Sequence, residues 1–205
     1  MALWHGLLAG LGMMIFIGPV FFYLLQTSLQ YGTKSGLTAA FGIFTSDILA
    51  VVVCYQWASV LFEGGENKFW LSIIGGFILV IFGLGYIFKP SIPKDVDIHH
   101  VSKGKYASFF TKAFLINIVN PFVFGVWTAI IGLAEKDFGQ TNQVKIFMAA
   151  ALFGVVFTDS LKVLGAKYLR KFIEPTFLRK LYLVIGLLLI AFSIRLFVFA
   201  AQTAL

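Results

Sequence analysis

Residues 39–51, "AAFGIFTSDILAV", and residues 151–163, "ALFGVVFTDSLKV", decide how the chain folds. Laid on each other they match at Ala39/Ala151, Phe41/Phe153, Gly42/Gly154, Asp47/Asp159, Leu49/Leu161 and Val51/Val163. Shared apolar bias accounts for part of this. It does not place two aspartates at the same distance from two Phe-Gly pairs, so the stretches read as copies of one element, and an internal repeat constrains the whole architecture. The flanks keep the relation. Upstream, Gly18-Pro19 answers Asn120-Pro121; downstream, Gly76 and Phe82 answer Gly186 and Phe192.

Around the two copies the chain is oil. Of 205 residues 60% are hydrophobic and 12% charged, with 24 Phe and a mean hydropathy of +0.93, too apolar for a domain that must wet its surface. A bilayer-spanning helix needs about 20 mostly apolar residues. Six stretches supply them: 3–27, 37–57, 69–88, 113–133, 146–164 and 181–201. The expected fold is an all-α integral membrane protein with six transmembrane helices in two three-helix repeats. Three crossings per repeat is odd, so the second copy lies upside down relative to the first, the inverted-topology repeat of many secondary transporters. Residues 1–205 form one membrane domain on this reading: repeat one over 1–90, a link over 90–112 and repeat two over 113–205. The N-terminus lacks a basic start and a small-residue cleavage site, and reads as a retained first span.

The net charge of +7 could suggest nucleic acid, but the cations follow the loops. Lys34, then Lys89, Lys94, Lys103, Lys105 and Lys112, then Lys167, Arg170, Lys171, Arg179 and Lys180 lie in links one, three and five. Only Lys68, Lys136 and Lys145 lie on the other side. The positive-inside rule therefore puts links one, three and five in the cytoplasm of a cell membrane and both termini outside. Trp4, Trp57 and Trp70 fall at the outer boundary, where aromatic rings favour the headgroup region. Cys54 lies inside a span as a small hydrophobe. Asp95, Asp97, His99 and His100 are metal-ligand types, yet they read as a solvated loop without a fold to set their geometry. No metal site and no cofactor is expected, the absence of a P-loop speaks against ATP coupling, and the chain is not expected to be an enzyme.

The polar residues inside the spans carry the functional reading. Proline within a helix frees the carbonyl four residues back, here Ile15 and Asn117, and such backbone must face protein or water. Asn120-Pro121 reads as an N-cap followed by the first helical residue, and Gly18-Pro19 as a weaker version. Each could begin a half-helix at membrane depth whose positive end meets an anionic group such as a substrate carboxylate. Ala39, Gly42, Ser46 and Ala50 form a small-residue stripe echoed by Ala151, Gly154 and Thr158. Beside it, Asp47 lies about 15 Å from the inner end of its span and Asp159 about 20 Å from the outer end of its own. Intramembrane carboxylates are functional by default. Lys162, three residues beyond Asp159, pairs with it or snorkels to the headgroups. Trp127 reads as core, and Arg195 as snorkelling outward.

With Ile17-Gly18-Pro19 in span one, Phe41-Gly42 to Asp47 in span two, Asn117 to Asn120-Pro121 in span four and Asp159 in span five, the chain resembles the LysE/RhtB family of small amino-acid exporters over essentially its whole length. The family's first motif is commonly Pro-Gly-Pro and its fourth-span motif Asn-Pro-Lys; here Ile17 replaces the first proline and Phe122 the lysine. The resemblance implies two three-helix repeats and export of amino acids such as lysine, threonine or homoserine across the bacterial inner membrane. It points to Gly18, Pro19, Asp47, Asn120 and Pro121 as motif positions. The internal repeat adds Asp159, and Ser46, Asn117, Thr158 and Lys162 complete the candidate substrate and proton pathway.

The expected function is a secondary exporter in the lipid bilayer, with an amino acid as cargo and a proton as coupling ion. Whether it forms homo-oligomers stays open, and nucleic acid is not expected as a partner. A metal-cation exporter of the same superfamily is the alternative. An intramembrane aspartyl protease is remote, because such enzymes carry Tyr-Asp and Gly-x-Gly-Asp where this chain has Ser46-Asp47 and Thr158-Asp159.

Overall fold

The computed structural model describes residues 1–16, 18–63, 65–88, 105–139, 142–169 and 175–203. Ile17, the cluster Asp95, Asp97, His99 and His100, and the cations Lys89, Lys94, Lys103, Arg170 and Lys171 lie outside them, as do the side chains of Trp57 and Lys68. The described residues are helical almost throughout, without strands: α1 (Ala2–Gly12) running into a 3-10 turn (Met13–Ile15), α2 (Pro19–Tyr31), α3 (Thr33–Glu63), α4 (Gly65–Phe88), α5 (Lys105–Ile118), α6 (Pro121–Phe138), α7 (Asn142–Leu164), the single turn α8 (Ala166–Leu169) and α9 (Pro175–Thr203).

Among the described residues three helical stretches are long and apolar enough to cross a bilayer unaided: Thr33–Gln56, Asn142–Leu164 and Tyr182–Gln202. The pairs α1–α2 and α5–α6 also qualify if each counts as one bent span, making five. The expected third span corresponds to α4, whose described apolar stretch Ser72–Phe88 is shorter than the roughly 20 residues a crossing needs. Six spans are thus an expectation of the sequence, and three to five are what the helices meet by length and composition.

Both breaks have the local chemistry that the prolines demand. Pro19 and Pro121 each stand at the first turn of a helix, after caps Gly18 and Asn120 in extended conformation. The Asn120 side chain accepts from the Phe122 N–H at 3.2 Å, satisfying one orphan donor of the helix start. Pro121 leaves the Asn117 carbonyl without its helical partner, and the Asn120 N–H takes it up at 3.1 Å. The helix axis turns by 66° across this break and by 75° across the first. Between α2 and α3, Gly32 carries a φ of 83°, a left-handed conformation that a side chain would strain.

Two compact units are present: residues 1–55 with 93–173, and 56–92 with 174–205. The first holds α1, α2, α5 to α8 and the first part of α3. Its core joins Leu24, Ala39, Ala40, Ile43, Ala113 and Val163, drawn from α2, α3, α5 and α7. Glycines set how closely its helices approach. A Cβ on Gly10 would strike the Ala151 carbonyl, and one on Gly154 would strike the backbone of α1 between Leu7 and Leu11. Gly42 on α3 meets the Phe110 backbone of α5 in the same manner. In the second unit α4 and α9 pack antiparallel: Gly76 lies against the Phe197 ring, Gly186 against Ile87, and Gly83 beside Gly186. Phe77 meets Phe197 edge to face at 5.3 Å between centroids.

Polarity is turned inside out relative to a water-soluble fold. Ile81 is 66% exposed and Phe192 60%, while Ser46, Asp47, Asn117, Thr158, Asp159 and Lys162 are all buried. Lipid satisfies the outer apolar shell, and backbone and polar side chains must then be satisfied within.

Candidate functional site

Asp47 sits on the third helix, beside the small-residue stripe, and is 3% exposed. Its neighbours come from the far side of that stripe. Gly42, one turn earlier, lets α5 approach closely enough for the Asn117 amide to reach across. Asn117 Nδ2 donates to Asp47 Oδ1 at 2.8 Å, and also faces Ser46 Oγ at 3.1 Å and the Ile43 carbonyl at 3.5 Å. The Asp47 carboxylate and the Ile43 carbonyl can only accept, so the atom that faces them is the amide nitrogen. Trp127 donates from Nε1 to the same Oδ1 at 3.1 Å.

Asn117 belongs to the last turn before the α5–α6 break and Trp127 to the second turn after it, so a single carboxylate oxygen ties the two arms of the bent helix together. Among the described residues no donor meets the other oxygen, Oδ2, and no cation touches Asp47. A carboxylate accepting from neutral donors is partly compensated for leaving water. Oδ2 retains capacity for a proton or an ammonium.

Asp159, 4% exposed, is held differently. Lys162 Nζ, on the same face of α7, donates to Asp159 Oδ1 at 3.0 Å and stands 5.9 Å from the centroid of the Phe21 ring of α2. Phe21 is the third residue of α2, just after the Gly18-Pro19 break. The next residue of α7, Val163, is fixed at both ends: its side chain packs in the core cluster, and its carbonyl accepts from Ser28 Oγ at 3.0 Å. Thr158 turns its hydroxyl back on the Val155 carbonyl at 2.8 Å. Asp47 lies within electrostatic reach of both Asp159 and Lys162, so the two aspartates of the sequence repeat share one polar interior.

All ten candidate residues of the sequence fall in this unit. Ser46, Asp47 and Asn117 are in direct contact, as are Asp159 and Lys162; Gly18, Pro19, Asn120 and Pro121 form the two breaks; Thr158 bonds only its own helix. The partner that sequence reasoning missed is Trp127. It is fully buried, as a core residue should be, yet its indole N–H is spent on Asp47. A polar handle on a buried tryptophan usually finds a partner, and that rule was the available signal. Phe16 and Phe122, one at each break, also meet edge to face at 5.2 Å.

Helices with an apolar exterior, two of them proline-broken, and carboxylates gathered inside are the build of a membrane translocator. The chain belongs to the LysE type translocator family, whose profile matches residues 11–199. It is 25% identical over 190 residues to the Bacillus subtilis (strain 168) protein named "Putative amino acid efflux protein YcgF", covering 90% of this chain and 89% of that one. No solved structure matches the chain.

Proposed function

We propose that this protein exports small amino acids across a bacterial cell membrane as a proton-coupled secondary transporter, with six spans in two inverted repeats. Family membership and the name of its B. subtilis relative support an exporter. The repeat gains support from packing. Gly154 receives the first arm of the α1–α2 helix and its counterpart Gly42 that of α5–α6; Gly76 meets Phe197 while Gly186 meets Ile87, each contact the repeat's image of the other.

The observation that carries the mechanism is the shared acceptor Asp47 Oδ1, bonded on both sides of the 66° break. Hydrogen bonds to a charged group are worth roughly 1.5 to 3 kcal/mol, against about 1 for neutral ones. A proton or a substrate ammonium arriving at Oδ2 drains charge from Oδ1 and loosens both bonds. The bend of α5–α6 is then free to change, which gives one ligand a different affinity in each of two conformations, as alternating access requires. The cargo carboxylate meets the N-terminal ends of α2 and α6. The cap of α2 is a glycine with no side-chain acceptor, so within its first turn the Val20 and Phe21 N–H groups remain available to an anion, while that of Phe22 bonds the Gly18 carbonyl. Asp47 exchanges the ammonium for a proton, and release of the one on each face follows entry of the other.

Proteoliposomes loaded with a panel of amino acids test this. Efflux of some amino acids, accelerated when the receiving side is made acidic, is the expected result. Vesicles that retain every amino acid, or release them at a rate indifferent to the gradient, contradict it.

A further inference from the structure

Three charged side chains are buried among the described residues: Asp47, Asp159 and Lys162. Fully ionised, they carry two negative charges and one positive, and they occupy a single neighbourhood. Val163, adjacent to Lys162, shares a core cluster with Ala39, Ala40 and Ile43 of α3, one to two turns before Asp47. The positive charge is already committed. Lys162 is bonded to Asp159 at 3.0 Å, covered by the Phe21 ring, and held on a backbone pinned by Ser28. An uncompensated ion in a low-dielectric interior is expensive, and charges interact strongly over such distances. The interior is therefore short of one cationic equivalent, and the free oxygen that would receive it is Asp47 Oδ2.

Resting on the exporter reading above, we infer that Lys162 is a specificity-determining residue: by neutralising Asp159 it leaves room for one ammonium, so the cargo is an amino acid with an uncharged side chain and not a dibasic one. The charge balance closes at that number. The cargo ammonium satisfies Asp47. The cargo carboxylate is met by two broken-helix N-termini, each equivalent to about half a positive charge. A second ammonium, as in a dibasic amino acid, would find only Asp159, whose bonded oxygen is already taken by Lys162. Removing the Lys162 charge changes this. Asp159 becomes a second unpaired carboxylate, and the interior then takes two cationic equivalents.

The test uses full-length protein in vesicles loaded with the twenty proteinogenic amino acids and ornithine, with released species counted by mass spectrometry. Wild type is expected to release uncharged-side-chain amino acids in preference to lysine, arginine and ornithine. Lys162→Met should raise the dibasic-to-uncharged ratio by about tenfold or more, in line with the large cost of an unpaired buried charge. The double variant Asp159→Asn with Lys162→Met restores one missing equivalent and should return the ratio to the wild-type value. Asp159→Asn alone leaves Lys162 to balance Asp47, and should weaken release of every amino acid while the double variant recovers it. Wild-type vesicles that release nothing overturn the exporter reading itself. Wild-type vesicles that prefer dibasic cargo, or a ratio unmoved in Lys162→Met, overturn the charge assignment and leave the exporter reading intact.

Discussion

At Asp47 the two carboxylate oxygens have different roles: Oδ1 collects Asn117 and Trp127 from either side of a helix break, and Oδ2 faces no donor among the described residues. In the proposed mechanism Trp127 acts on transport through Asp47, as a positioning residue. Trp127→Phe keeps most of the ring volume and removes one charge-assisted bond of roughly 1.5 to 3 kcal/mol. Protein of normal yield and about tenfold slower efflux is expected, with the larger effect on rate and the smaller on the cargo concentration for half-maximal release; efflux assays on purified, reconstituted protein check it. Asp47 was legible in the sequence because a carboxylate in an apolar run stands out, and its echo at Asp159 made it stand out twice. Trp127 was not, since nothing in a Phe-rich span tells which way an indole N–H points until the neighbouring helix is in place. Lys162 was legible as a partner for Asp159 from spacing alone, because residues three apart share a helix face.

At the level of helices, close approach is set by glycine and direction by proline. A Cβ at Gly10 would meet the Ala151 carbonyl, and one at Gly154 the backbone of α1. Backbone atoms cannot move aside as a flexible side chain can, so Gly154→Leu should destabilise the detergent-solubilised protein by about 1 to 3 kcal/mol or more, seen as a lower midpoint of thermal unfolding. Asn120→Ala removes a cap worth about 1 kcal/mol. It should cost less stability than Gly154→Leu while slowing efflux more, because Asn120 starts the arm that carries Trp127. Both breaks could be read from Gly18-Pro19 and Asn120-Pro121, down to the cap and the first helical residue. The 3-10 turn at Met13–Ile15 could not, because its residues are as apolar as the helix before it and only the approach to the break tightens them.

For the whole molecule, the distribution of cations over the loops proposes an orientation with both termini outside. Two single-cysteine variants in a Cys54→Ser background, His5→Cys and Lys34→Cys, check it in intact cells with a membrane-impermeant thiol reagent. The first should be labelled from outside and the second only after the cells are opened. The helical class and the apolar exterior follow from composition, and the equivalence of Gly42 and Gly154 follows from a register visible in thirteen residues of each copy; that they receive α5 and α1 is not legible there, because the register names no partner helix. The number of crossings does not follow as directly, because a bent pair counts as one span or as two half-spans depending on where the membrane lies. The proposed mechanism converges on a carboxylate that exchanges a proton for an ammonium, so the decisive measurement is efflux from preloaded vesicles carrying Asp47→Asn, followed over a range of pH. The amide keeps the shape of Asp47 and removes its charge, and efflux should fall to background at every pH. Efflux as fast as wild type across that range would contradict the assignment.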